Sequence, residues 1–186
     1  MAFFNSRLPF LKTFILQSKE ETQEMAKSLS LLLVTGDMVL LSGSLGAGKT
    51  TFARFIINAL SQEEVCVQSP TFPLLLEYET PKGPLIHADL YRLEQKDIPS
   101  LDLLERCKNA LALIEWPERN TSWPSDVLGV ELLRQSHHPS DNSRLLRFYG
   151  LKPWRERLAS LVFDAFQESS TQSSPDPSLA KDPSSC

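Results

Sequence analysis

Eight residues, Gly43-Ser44-Leu45-Gly46-Ala47-Gly48-Lys49-Thr50, constrain this chain more than any other stretch, because they fit G-x-x-x-x-G-K-[ST] in full. The apolar run Val39-Leu40-Leu41 precedes them and suits a buried strand. Thr51-Phe52-Ala53-Arg54-Phe55-Ile56-Ile57 follows, with apolar residues at helical spacing. Strand, glycine loop and helix in that order make a phosphate cradle. Glycines let backbone N–H groups converge on an anion, and the helix adds its free N–H groups and the positive end of its dipole. Lys49 supplies a point charge for the β- and γ-phosphates, and the Thr50 hydroxyl suits Mg²⁺. The expected ligand is a nucleoside triphosphate held by Gly43 through Thr51.

Composition narrows the partners. At 186 residues one domain suffices, with a core large enough to stand without disulfides. A net charge of −4 and a pI near 5.4 speak against a bulk electrostatic grip on nucleic acid. Cys66, Cys107 and Cys186 have no C-x-x-C spacing and read as reduced thiols. No apolar stretch approaches transmembrane length. Arg7, Pro9 and Lys12 break the Phe-rich start, and no small-residue cleavage site follows, so it does not read as a signal peptide. The expectation is a soluble, cytoplasmic protein.

Around the central unit the chain alternates strands and helices. Thr13 to Leu16 reads as a first strand, and Ser18 with Glu21 as a capping box opening a helix that Gly36 would stop. Val65 to Val67 reads as a short strand entering the rigid loop Gln68 to Pro73, which carries two prolines. Leu74 to Tyr78 and Leu85 to Ala88 form a hairpin, and Ile98 to Arg106 a short helical segment. Ala110 to Ile114 is a further buried strand, followed by strands at Val127 to Leu133 and Arg144 to Phe148 with a turn over 137–142. Pro153 opens a last helix, Trp154 to Phe166. From Ser169 to Cys186, seven serines and three prolines predict a disordered tail. The expected architecture is one α/β P-loop domain over 1–168. Its central sheet is mostly parallel, with antiparallel edge strands and flanking helices.

Two strand ends deliver acids. Glu115 closes an apolar run of five residues and is the expected second Mg²⁺ ligand beside Thr50. Asp89 ends the hairpin's second strand; it either orients the attacking water near the γ-phosphate or pairs with Arg92 or caps a helix. Thr71 lies in the kind of loop that senses a γ-phosphate, with a plain turn hydroxyl as the alternative. His87 and the pair His137-His138 read as core or solvated histidines, and Trp116 as packing, with a place near the nucleotide as the alternative. The glycine loop alone also suits a small-molecule kinase, which needs an arginine-bearing lid; Arg119, Arg134, Arg144 and Arg147 are the available arginines.

Four segments then occur in one order: Gly43 through Thr51, Ser69-Pro70-Thr71-Phe72, His87-Ala88-Asp89-Leu90-Tyr91-Arg92-Leu93, and Ile114-Glu115-Trp116-Pro117-Glu118. In this succession, over about residues 13 to 150, the chain resembles the bacterial TsaE family, the ATPase of tRNA threonylcarbamoyladenosine biosynthesis. The resemblance implies a weak, partner-dependent ATPase that works with TsaB and TsaD and meets tRNA indirectly through that complex. It implies ATP and Mg²⁺ as ligands, Thr50 and Glu115 at the metal, Lys49 and the loop at the phosphates, and Asp89 near the γ-phosphate. The segment Ser69 to Thr71 would switch with the nucleotide. Ser18-Lys19-Glu20-Glu21-Thr22 matches an early family stretch, which brings Thr22 towards the nucleotide. Ser44 stands where members often carry Asp, and Ala88 where they carry an aromatic; the second leaves less bulk beside Asp89.

Overall fold

The computed structural model describes residues 3–61, 65–135 and 142–161. Seven strands form one sheet: β1 (Phe10–Leu16), β2 (Met38–Ser42), β3 (Leu75–Thr80), β4 (Gly83–Asp89), β5 (Leu111–Glu115), β6 (Leu128–Arg134) and β7 (Arg144–Tyr149). Their order is β1-β7-β6-β2-β5-β4-β3. The inner four, β6-β2-β5-β4, run parallel, while β7 and β1 on one side and β3 on the other are antiparallel to their neighbours. This is the expected mostly parallel centre with antiparallel margins. Every residue of β2 and β5 is buried, as strands covered on both faces must be.

Alternation along those strands sorts two cores. Val39 and Leu41 of β2 and Leu111 and Leu113 of β5 face α1 (Lys19–Leu32), α2 (Lys49–Leu60) and α4 (Lys152–Ala159). Met38, Leu40, Ala112 and Ile114 face the other way, onto Phe4, Leu8, Ile98, Leu103 and Cys107. The Phe-rich start is thus partly core: Phe4 is buried against the sheet, where Gly129 leaves room for its ring. Cys107 is buried and burial pushes its thiol up to about 11, so it stays protonated at neutral pH, whereas Cys66 is exposed. No helix among the described residues is long and apolar enough to cross a membrane.

Several boundaries differ from the sequence reading, each for a local reason. β1 starts at Phe10, ahead of Thr13, because it pairs with β7 as far as Tyr149. The capping box forms, with Ser18 Oγ accepting from the Glu21 N–H, but the Glu21 carboxylate reaches back to the N–H of Gln17. Gly36 does not stop α1. The helix ends at Leu32, and the ammonium of Lys82, on the distant hairpin turn, takes the carbonyls of Ser30, Leu31 and Leu33. Gly36 instead turns the chain into β2 at φ +91.

Val65 to Val67 is not a strand. The N–H of Val65 donates to Asn58 Oδ1 and the carbonyl of Val67 accepts from Arg54 Nε, so side chains of α2 take the groups a sheet neighbour would need. The hairpin is longer than expected at its turn end, with the two-residue loop Pro81-Lys82. Ile98 to Arg106 is broken: 3₁₀ turns flank α3 (Leu103–Arg106), and Asp102 between them adopts φ +50. The last helix opens a residue before Pro153, at Lys152, and ends at Ala159; positions 162–166 of the expected helix lie outside the described residues. The tail and most of the expected 137–142 turn lie outside the described residues.

Candidate functional site

The carboxyl ends of parallel strands β4, β5 and β2, with the start of α2, form the site, as topology in open α/β sheets favours. Between β2 and α2 the loop turns through Gly46 at φ +75 and Gly48 at φ +106, a region that costs residues with a Cβ. A Cβ at Gly46 would meet nothing within 4 Å, so the loop is open there. Ala47 is buried beneath the loop, whereas Ser44 and Leu45 are exposed on it.

Lys49 is only 4% exposed. Its ammonium donates to the carbonyls of Gly43 at 2.7 Å and Ser44 at 2.9 Å, and lies 3.7 Å from the centre of the Trp116 ring. Burial draws its pKa below the ordinary lysine value, against the opposing pull of Glu115, Glu118 and Asp89. An anion entering beside it relieves that burden, because it favours the charged form.

Glu115, at the end of β5, is buried and held on both oxygens. Oε2 accepts from the Thr50 hydroxyl at 2.8 Å, and Oε1 from His87 Nε2 at 2.8 Å. Asp89 closes β4 in register with Glu115. Its Oδ2 accepts from the Thr71 hydroxyl at 2.7 Å, and its Oδ1 from the N–H of Tyr91 at 2.9 Å. The second bond is a short turn closed by the aspartate's own side chain. Ser69 and Thr71 share a further hydroxyl contact at 2.8 Å. Arg92 does not pair with Asp89 in this arrangement; its guanidinium lies over the exposed ring of Phe72.

These groups line one cleft of about 460 Å³, shared by Gly46, Gly48, Lys49, Thr50, Thr51, Thr71, Asp89, Glu115 and Trp116. Thr22 is not in it. Its hydroxyl donates to the carbonyl of Ser18, and it borders a second hollow of about 140 Å³ with Ala47, Gly48 and Thr51. Arg144 borders both, and its Nε donates to the carbonyl of Ala47 at 2.9 Å.

Three residues of the candidate site take places that the sequence reading left open or missed. His87 was legible in principle, since a residue two places before a strand-end acid points to the same face as that acid. Trp116 is not mere packing: its backbone at φ +59 turns the ring into the cleft, 4.7 Å from the Tyr91 ring and over Lys49. No local pattern announces that turn. Arg144 comes from β7, 97 residues from its partner Ala47, on a strand and not on a lid.

A glycine loop between a buried parallel strand and a helix, with acids at the ends of two neighbouring strands, defines a P-loop-like α/β protein. The family model described as "Threonylcarbamoyl adenosine biosynthesis protein TsaE" matches residues 16–144. The tRNA threonylcarbamoyladenosine biosynthesis protein TsaE of Aquifex aeolicus is 40% identical over 144 residues, covering 76% of this chain and 98% of that protein. Its Rickettsia bellii namesake is 46% identical over 105 residues, covering 56% of this chain and 73% of that one. The crystal structure of Bacillus subtilis YdiB superimposes with a TM-score of 0.57 at 27% identity, over 80% of this chain and 90% of that one. The chain belongs to the TsaE family, which is involved in tRNA threonylcarbamoyladenosine biosynthesis.

Proposed function

We propose that this protein is a Mg²⁺-dependent ATPase, gated by its nucleotide, that supports threonylcarbamoylation of the tRNA adenosine beside the anticodon as a partner of TsaB- and TsaD-type proteins. The observation that carries the reading is the Thr50–Glu115 pair, 2.8 Å apart at the mouth of the glycine loop. Mg²⁺ is held by one or two hard oxygen donors of the protein together with phosphates and water, and these two side chains are a pair of that kind. Bound there, the ion would neutralise charge on the phosphates. The buried ammonium of Lys49 faces the same cleft, and Thr51 continues its floor.

Gating is supported by the single bond from Thr71 to Asp89. It ties the loop over 69–73 to the strand end that borders the cleft. A terminal phosphate and its ion compete for both groups, so nucleotide state biases the loop. Partners that bind one loop state then follow the nucleotide. The acidic balance of the chain fits a protein that meets tRNA through its partners.

Lys49→Ala is expected to remove a charge-assisted phosphate contact of about 1.5–3 kcal/mol and weaken ATP binding by roughly tenfold or more, measured by titration calorimetry. Unchanged affinity would remove Lys49 from the phosphate site. γ-Labelled ATP should yield free phosphate; a labelled organic acceptor would make the protein a kinase instead. Co-purification with TsaB- and TsaD-type proteins under ATP, ADP and no nucleotide, followed by assay of modified tRNA, tests the role. Association indifferent to nucleotide would sink the gating, and undiminished modification without this protein would sink the role itself.

A further inference from the structure

His87 occupies a position that core packing alone does not explain. It lies on β4 between Leu85 and Asp89, on the sheet face covered by α2, and is fully buried. Its Nε2 lies 2.8 Å from Glu115 Oε1. A carboxylate only accepts, so Nε2 carries a proton and the imidazole donates. The other ring nitrogen, Nδ1, is buried and has no hydrogen-bond partner among the described residues. An unpaired buried polar atom costs stability, and a leucine of similar size would avoid that cost. What the imidazole gives in return is a fixed Glu115: with Oε1 held by His87, the carboxylate keeps Oε2 turned to the Thr50 hydroxyl.

We propose that His87 is a positioning residue that sets the affinity of the Thr50–Glu115 pair for a divalent cation by holding the Glu115 carboxylate in one orientation. It acts through Glu115 and touches neither nucleotide nor ion. The inference rests on the reading of that pair as the Mg²⁺ site. Without the donor, only the Thr50 hydroxyl orients Glu115, and the ion must then fix the rest of its orientation on binding. Partners one shell out from a metal typically change its affinity by about 10–100-fold.

The test uses the full chain and a fluorescent ATP analogue, titrated in EDTA and then at rising Mg²⁺. His87→Leu fills the space without a donor, whereas His87→Gln keeps an N–H that reaches Glu115. The expected result is unchanged nucleotide affinity in EDTA for both variants. The Mg²⁺ concentration at half-effect should rise roughly tenfold or more in the leucine variant and return towards the parent value in the glutamine variant. Thermal melting checks that each variant is folded. If the leucine variant does not fold, His87→Asn, whose shorter amide falls short of Glu115, replaces it with the same expectation. A Mg²⁺ requirement equal to the parent's in the variant lacking the donor overturns the role of His87 alone. A parent chain whose nucleotide binding ignores Mg²⁺ overturns the metal site, and this inference with it.

Discussion

Replacing Glu115 with alanine is expected to slow Mg²⁺-dependent ATP hydrolysis by on the order of a hundredfold, while nucleotide binding in EDTA stays within a few-fold of the parent. The split follows from what Glu115 touches. Neither oxygen hydrogen-bonds residues 43–48 or the Lys49 ammonium; one holds Thr50 and the other His87. The loop proposed to cradle phosphate therefore survives its loss, while the charged half of the Thr50–Glu115 pair disappears. Stability has to be followed in parallel, because the buried His87 Nε2 loses its acceptor, at about 1–3 kcal/mol. Glu115→Gln separates the two effects. It preserves the side chain's shape and an oxygen for His87, but a neutral amide is a poor partner for a divalent cation. Phosphate release by both folded variants at the parent rate would remove Glu115 from the proposed metal site.

That site shows where sequence reading succeeds and where it stops. The glycine loop, the strand before it and the helix after it are local in sequence, so residue types and spacing sufficed for them. The acid at the end of β5 was equally legible, because a short apolar run can deliver only the residue that ends it. The contacts that turn these pieces into a site are not local. His87 and Glu115 are 28 residues apart, Thr71 and Asp89 are 18 apart, and Arg144 and Ala47 are 97 apart. Each depends on how strands pair, and the order β7-β6-β2-β5-β4-β3 is written in no single segment.

The misread elements share a different cause, which is the source of their hydrogen bonds. Val65 to Val67 has strand-like composition, but α2 side chains bond its backbone before any strand does. The end of α1 needs no glycine cap, because Lys82, some fifty residues later, takes the carbonyls of Ser30 and Leu31 and that of Leu33 just beyond. Propensity describes what a segment prefers in isolation, and tertiary partners overrule it here. Trp116 is the sharpest case. A bulky residue at φ +59 is disfavoured on its own, and it is held there by the Tyr91 ring and the Lys49 ammonium.

Gly43→Ala is expected to cost the fold more than any other single methyl added to the loop. Gly43 stands at φ +141, a region L residues rarely adopt. A Cβ there would lie 2.3 Å from the carbonyl oxygen of Leu132, far inside contact distance, and 3.2 Å from the Cβ of Ala47. Neither neighbour yields readily. Leu132 belongs to β6, paired on both sides in the sheet, and Ala47 is buried beneath the loop. The left-handed backbone accounts for about 1–2 kcal/mol and the overpacking for about 1–3 kcal/mol, giving roughly 3 kcal/mol together. For a domain of this size that lowers the melting temperature by roughly 6–12 °C. Gly46→Ala is the matched control: it too has a positive φ, at +75, but its Cβ would meet nothing within 4 Å. Only the backbone term applies, about 1–2 kcal/mol, or a fall of roughly 2–8 °C. Scanning calorimetry of the two variants without nucleotide decides the matter. A Gly43→Ala protein that melts at or above Gly46→Ala would mean that the loop does not press against β6 as the fold requires.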